Sequence, residues 1–233
     1  MKNGMQVNMQ FLADTLQKTC EKYVKHGDVK FIKREEDDVE EHINFENLMI
    51  STFKGIIKKR YSDILVFDMS EDIEDEEDDF IRFVPIDDIY CFYYNMPWAS
   101  VMYYYENKML YGVFVYDSMD NTVIFCNTRE DDKNVRIYRS MAVNNFLARR
   151  ISRGIYNISD IRSSEELGII DRKQPRKCVA FFSPTMAILN VLKGGLDGMA
   201  AAVVDRRCIH AMCLICKKLN VAYTFKNDIM FII

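Results

Sequence analysis

No stretch of this chain reaches the roughly 18 consecutive apolar residues that a membrane-spanning helix needs. The N-terminal run Met1-Lys2-Asn3-Gly4-Met5-Gln6-Val7-Asn8 lacks the continuous apolar segment of a secretory leader. Export and bilayer insertion are therefore not expected. A surplus of positive charge is missing as well: the formal charge is −4 and the pI is near 5.5. That excludes broad electrostatic binding to nucleic acid, which needs many unpaired Lys and Arg to displace counterions. Local basic clusters do occur, at Arg149, Arg150 and Arg153 and at Arg172, Lys173, Arg176 and Lys177, and they read as solvated surface. An even cysteine framework is lacking too. The seven cysteines are odd in number, scattered, and mostly set inside apolar runs. They read as reduced core thiols of a cytoplasmic protein. There is no internal repeat and no low-complexity linker.

What is present is apolar patterning over 233 residues, 49% of them hydrophobic, enough for a substantial shared core. Val7, Phe11, Leu12, Leu16, Cys20, Tyr23 and Val24 keep a helical spacing, predicting a helix over about 6–25 closed by Gly27. A second helix is predicted over 44–60, preceded by a solvated acidic stretch, Lys33 to Glu41. Ile64 to Phe67 reads as a short strand. The run Ser70 to Asp79 holds eight acidic residues in ten and reads as a surface loop. It lacks the glycine and the alternating ligands of a calcium-binding EF-hand loop.

From Ile81 to Phe125 the pattern predicts a strand, a turn, a short helix, then antiparallel strands with turns near Glu106 to Lys108 and Asp117 to Asn121. Further on, Ile137 to Ile151, Pro184 to Leu192 and Ile209 to Leu219 are predicted helices. Cys178 to Phe182, Met199 to Val204 and Asp228 to Ile233 are predicted strands. This order implies a layered α/β architecture with two halves, 1–127 and 135–233, packed as one body.

Phe83-Val84-Pro85-Ile86-Asp87-Asp88, followed by strands containing Pro97-Trp98-Ala99 and Gly112-Val113-Phe114, resembles the inositol monophosphatase superfamily, whose members carry Asp-Pro-Ile-Asp-Gly-Thr-Thr. Phe45 to Ser51 resembles that family's second helix, and Gly194-Gly195-Leu196-Asp197-Gly198 its Gly-Ala-Ala-Asp-Ala segment. The resemblance covers about residues 5 to 233. It implies an αβαβα sandwich, here ending before the usual last helix, commonly dimeric, and a phosphomonoesterase activity supported by Mg²⁺ held on carboxylates and carbonyls.

Carried over residue by residue, the resemblance assigns Asp68 as the loop carboxylate, the Ile86 carbonyl as a ligand and Asp87 as the second turn carboxylate. The first turn carboxylate is replaced by Val84, and the helix-opening Asp falls at or next to Cys208. In place of Gly-Thr-Thr stands Asp88-Ile89-Tyr90, which sets a negative charge where phosphate would sit. Ser183, after Phe182, maps onto the substrate turn, and the acid that binds substrate hydroxyls maps onto about Ala201. Taken without the resemblance, Asp87 and Asp88 read as a helix N-cap with a first-turn acid.

Cys208, His210, Cys213 and Cys216 suggest zinc, yet on a helix His210 lies about 200° from Cys208, so a buried helix accounts for them better. None of His26, His42 and His210 has a motif linking it to a nucleophilic thiol. The resulting expectation is a cytoplasmic, inositol-monophosphatase-like pseudoenzyme whose Mg²⁺ site, if any, is a vestige on Asp68, Ile86 and Asp87. It would act by binding a protein partner or a small phosphorylated ligand, as a homodimer through the aromatic surface of Tyr90 to Tyr105. The alternative is an active metal-dependent phosphatase in which Asp88 or Asp205 substitutes for the missing ligands.

Overall fold

The computed structural model describes residues 7–24, 38–68, 79–129, 134–139, 142–149, 155–159, 177–202 and 206–232. Gly27, most of the acidic run 70–79, Arg150, Arg153, residues 172–176 and Asp205 lie outside them.

Helices α1 (Met9–Val24) and α2 (Asp38–Arg60) follow from apolar residues recurring every three or four positions. Leu12, Leu16 and Cys20 of α1 face Met49, Phe53 and Ile57 of α2, all fully buried. The Tyr23 hydroxyl reaches Thr52 Oγ1 at 2.7 Å across the same seam. Three basic residues, Lys58, Lys59 and Arg60, close α2, where the helix dipole favours positive charge.

This pair packs on a seven-stranded sheet. Its strands, in spatial and chain order alike, are β1 (Leu65–Asp68), β2 (Phe80–Val84), β3 (Ala99–Glu106), β4 (Met109–Asp117), β5 (Thr122–Asn127), β6 (Val135–Arg139) and β7 (Ala142–Asn145). Only the β1–β2 pair is parallel. Between β2 and β3 lies the five-residue helix α3 (Ile89–Tyr93). At the β3–β4 hairpin, Asn107 and Lys108 both take positive φ, 50° and 64°, the conformation a two-residue type I′ turn requires.

Alternation along the central strands splits the protein into two cores. Met102, Tyr104, Phe114, Tyr116, Val123 and Phe125 face α1 and α2. Val101, Tyr103, Val113, Val115, Ile124 and Cys126 face the other way, onto α4 (Pro184–Leu192) and α5 (Arg206–Lys218). Beneath those helices runs a five-stranded sheet in the order β11 (Thr224–Lys226), β12 (Ile229–Ile232), β10 (Gly198–Ala202), β8 (Ile155–Ser159), β9 (Lys177–Val179). Met199, Ala201, Met230 and Ile232 complete that second core. The layers are thus α, β, α, β, and one apolar cluster joins residues 84–146 to residues 186–232. Strands β6 and β7, from beyond the expected break at 127–135, extend the same large sheet.

Where a helix was expected over 137–151, the described residues form the end of β6, then β7 and an irregular segment over 146–149; 140, 141, 150 and 151 lie outside the described residues. Within β6, Val135 and Tyr138 stand an odd number of residues apart and enter different cores, as a strand requires. Strand β7 is exposed throughout, so it carries no alternation to read. Strands β8 and β11 were not expected at all. The aromatic row on β3 is also not a surface: Tyr103 and Tyr104 are 1% exposed, on opposite faces, within the protomer.

The stacked pair Phe53 and Phe83, centroids 4.7 Å apart, fixes α2 on the sheet. Phe53→Ala should lower stability by about 3–5 kcal/mol in urea denaturation. Leu48→Ala, on the same helix at a half-exposed position, should stay within about 0.5 kcal/mol. Equal losses at the two positions would show that α2 is not held by this seam.

Candidate functional site

Strand β2 ends at Val84, and the chain turns through Pro85 and Ile86 into α3. Asp87 ties this turn to the neighbouring strand in two directions. Its backbone N–H donates to the Ala99 carbonyl at 2.9 Å, and its Oδ1 accepts from the Ala99 N–H at 2.7 Å. Its other oxygen, Oδ2, accepts from the Ser183 hydroxyl, and the Thr185 hydroxyl contributes a further hydrogen bond. The turn residue and the residue mapped to the substrate turn, 96 positions apart, are thereby brought together.

Ser183 is the N-cap of α4. Its Oγ accepts from the Met186 N–H at 3.0 Å while donating to Asp87, and Pro184 follows at the first helical position, where its missing N–H leaves no bond unmade. Asp88 caps α3: its backbone is extended and its Oδ1 accepts from the Cys91 N–H at 2.9 Å. The cap reading thus describes Asp88, whereas Asp87 makes a tertiary tie. The Pro85 carbonyl accepts from the Ser100 hydroxyl, which lies 3.2 Å from Cys20 Sγ.

The remaining positions fall around this turn in different surroundings. Asp68 pairs in register with Phe83, one residue before Val84. The Ile86 side chain is buried against α1 and α2. Val84 is 2% exposed and belongs to the opposite apolar cluster, with Ala99, Val101 and Met186. Cys208, on the first turn of α5, is equally buried in that same cluster. Ala201 lies in it too, whereas Phe182 is half exposed.

Of the suspected zinc group, Cys208 and Cys216 are core residues and His210 stacks on Tyr103 with centroids 5.9 Å apart. Among the described residues, no three His, Cys, Asp or Glu side chains gather closely enough to surround an ion. Burial, with Asp88 and Asp87 adding to it, pushes the Cys91 thiol up to about 12, so it is not a nucleophile at neutral pH.

Sequence reasoning missed two roles here. Tyr103 sends its hydroxyl to Arg207 and Ala211, accepting from the Ala211 N–H at 3.0 Å and donating to the Arg207 carbonyl. It thereby anchors the first turn of α5. Asp197 repeats the Asp87 device, its Oδ2 accepting from the Ile155 N–H and its own N–H donating to the Ile155 carbonyl. The Gly-x-x-Asp-Gly spacing was visible, but nothing in it distinguishes a backbone tie from a ligand.

The architecture can now be compared with known proteins. No family model matches the sequence, and no curated protein matches it. Solved structures match over nearly the whole chain. The 2′-AMP-bound inositol monophosphatase II of Staphylococcus aureus aligns with TM-score 0.66 at 16% identity, over 94% of this chain and 86% of its own. The extragenic suppressor protein SuhB of Bartonella henselae gives 0.65 at 11% identity, over 97% and 93%. A calcium-bound inositol monophosphatase family protein of Staphylococcus aureus gives 0.62 at 12% identity, over 94% and 88%. The protein is a layered α/β sandwich, and the sandwich has the inositol monophosphatase fold. The low identities fit a divergent sequence on that fold.

Burial raises the Asp87 carboxyl from its ordinary 3.8 to about 6; the hydrogen bonds from Ser183, Ala99 and Thr185 pull the other way, and Asp88 adds to the rise. The folded protein therefore holds this proton more tightly than the unfolded chain does. The associated stability is present at low pH and is lost as pH rises from about 4 through 6. Asp87→Asn removes the titration. Relative to wild type, the variant should gain on the order of 1–3 kcal/mol between pH 4.5 and pH 7.5 in urea denaturation at the two pH values. A gain of zero or of opposite sign would mean that the Asp87 carboxylate sits in solvent or beside a cation.

Proposed function

We propose that this protein is a cytoplasmic binding or scaffold protein built on a phosphatase fold, with a Mg²⁺ site too degraded to support hydrolysis. The reading rests on where Val84 and Cys208 lie. Both stand where the resemblance requires carboxylates, and both are packed into one apolar cluster with Met186, Ile209 and Met212. A divalent cation that needs carboxylates finds none at these two positions, and a thiol is a poor partner for so hard an ion.

The surviving acids are engaged elsewhere. Both oxygens of Asp87 accept hydrogen bonds from the protein. Asp88 is committed to its cap and adds negative charge beside the position of a phosphate. The donor set therefore does not fit the group that the fold implies, and no hydrolytic step follows from these residues.

The clients this reading favours are a protein partner and a small phosphorylated ligand. Self-association remains part of the proposal. With Tyr103 and Tyr104 buried, the aromatic surface left for it is Tyr90 and Tyr94, 66% and 45% exposed on and beside α3.

The test is a Mg²⁺ titration with a phosphate-release assay on inositol monophosphate and 2′-AMP, paired with thermal melting. Wild type should hydrolyse both at background, and millimolar Mg²⁺ should leave its melting temperature unchanged, since a ligand bound only by the folded state must raise it. Turnover that disappears in Asp87→Asn would overturn this reading and establish the phosphatase.

A further inference from the structure

Helix α4 links two different polar sites. Its N-cap, Ser183, holds Asp87. Its other end, Lys193, lies roughly 15 Å away along the helix axis and borders an open cleft of about 510 Å³. Arg139, Asn144 and Asn145 come to this cleft from the β6–β7 edge of the large sheet. Arg149 comes from the segment after it, and Asp120 from the β4–β5 turn. We propose that this cleft is a binding site for a small phosphate-bearing anion.

The charge within the cleft is lopsided in a protein that is acidic overall. Lys193 Nζ donates to Asp117 and, at 2.6 Å, to Asp120, so two carboxylates meet one ammonium. Asp117 is fully buried and is further satisfied by the N–H groups of Met119 and Asp120. An ammonium has three protons to donate, which leaves Lys193 one for a ligand. The two guanidinium groups are less committed. Among the described residues neither Arg139 nor Arg149 is in an ion pair, and the one bond from Arg139 runs to the Asp120 carbonyl at 3.4 Å. Guanidinium forks match phosphate oxygens bidentately, and two asparagine amides beside them supply neutral donors.

The position of Arg149 is built by the backbone. Its N–H donates to the Leu192 carbonyl at 2.9 Å, holding it to the last turn of α4. Gly194 lies directly beneath with φ +76°, and a Cβ there would come within 2.9 Å of Arg149 Cβ. The glycine thus provides both the left-handed turn that ends α4 and the close approach that fixes the arginine over the cleft. Because the cleft lies at the carbonyl end of the helix, the macrodipole opposes an anion. The attraction comes from the cationic side chains alone and weakens with salt. The volume of about 510 Å³ exceeds that of orthophosphate and leaves room for an organic group or a second phosphate.

The experiment uses the full chain, with inorganic phosphate and pyrophosphate as probes, in calorimetric titration at low ionic strength. Pyrophosphate should bind more tightly than phosphate. The Arg139→Gln, Arg149→Gln double variant should weaken it at least tenfold, and Asp87→Asn should not change it. Amide shifts in a ¹H–¹⁵N spectrum of wild type provide a readout that needs no variant. On pyrophosphate addition they should move at Asn144, Asn145, Arg149 and Gly194. Shifts clustered at Asp87 and Ser183, binding lost in Asp87→Asn but kept in the arginine variant, or no binding of either probe would overturn the inference. None of these outcomes depends on whether the protein hydrolyses phosphate esters.

Discussion

Burial of the large sheet on both faces is the constraint from which the rest follows. Strands β3, β4 and β5 lie in the middle of seven strands, and their side chains alternate between the α1–α2 core and the α4–α5 core. A sheet covered on one face could send functional groups into solvent from the other. Here a residue at the end of β2 enters either core or the turn beyond it. Val84 belongs to the apolar cluster that also holds Cys208. Placing a lone carboxylate there, without a cation to pair with it, would cost several kcal/mol or shift its pKa until it is neutral.

The same constraint explains why some acids of the motif persist. Asp87 and Asp197 each grip one residue across a gap, accepting from its N–H and donating their own N–H to its carbonyl. Such an aspartate closes a strand end or a loop where no ladder partner exists, which keeps buried backbone groups satisfied. Asp88 and Ser183 begin helices. The four polar residues that most resemble a catalytic constellation are all engaged in holding the turn, the caps and the loop before β10 in place. In sequence, an aspartate that ties backbone groups looks the same as one that serves as a ligand.

Much of the architecture was legible because it depends on local periodicity and short turns. The spacing of α1, the Pro184 start of α4, the Asn107-Lys108 hairpin and the order of turn, Trp98 strand and Gly112 strand all carry their own signals. The errors occur where the signal was absent or ambiguous. Strand β7 buries nothing, and β8 runs parallel to neighbours 22 and 42 residues away in register, Ile155 against Lys177 and Tyr156 against Gly198. The candidate site was legible in its residues and illegible in its bonding. That Ser183 donates to Asp87 depends on two sheets meeting through α4, a relation no window of sequence contains. The cleft at the far end of α4 was hidden for a similar reason. Arg149 read as solvated surface, and only the backbone bond to Leu192 sets it beside Lys193 and Arg139.

Helix α4 is the element that makes these relations rigid. Nine residues long and buried along most of its length, it is tied to the large sheet at both ends: through Ser183 to Asp87 at the start of α3, and through Lys193 to Asp117 at the end of β4. A displacement of the helix along its axis would break a buried hydrogen bond at one end and strand a buried carboxylate at the other. Either loss is larger than what a packed apolar face gives back on sliding. The Asp87 tie and the cleft at Lys193 therefore keep a fixed separation. The helix is held by its Ser183 cap, by the Lys193 contact with Asp117 and by the apolar cluster packed around it, so its position rests on the protein's own groups.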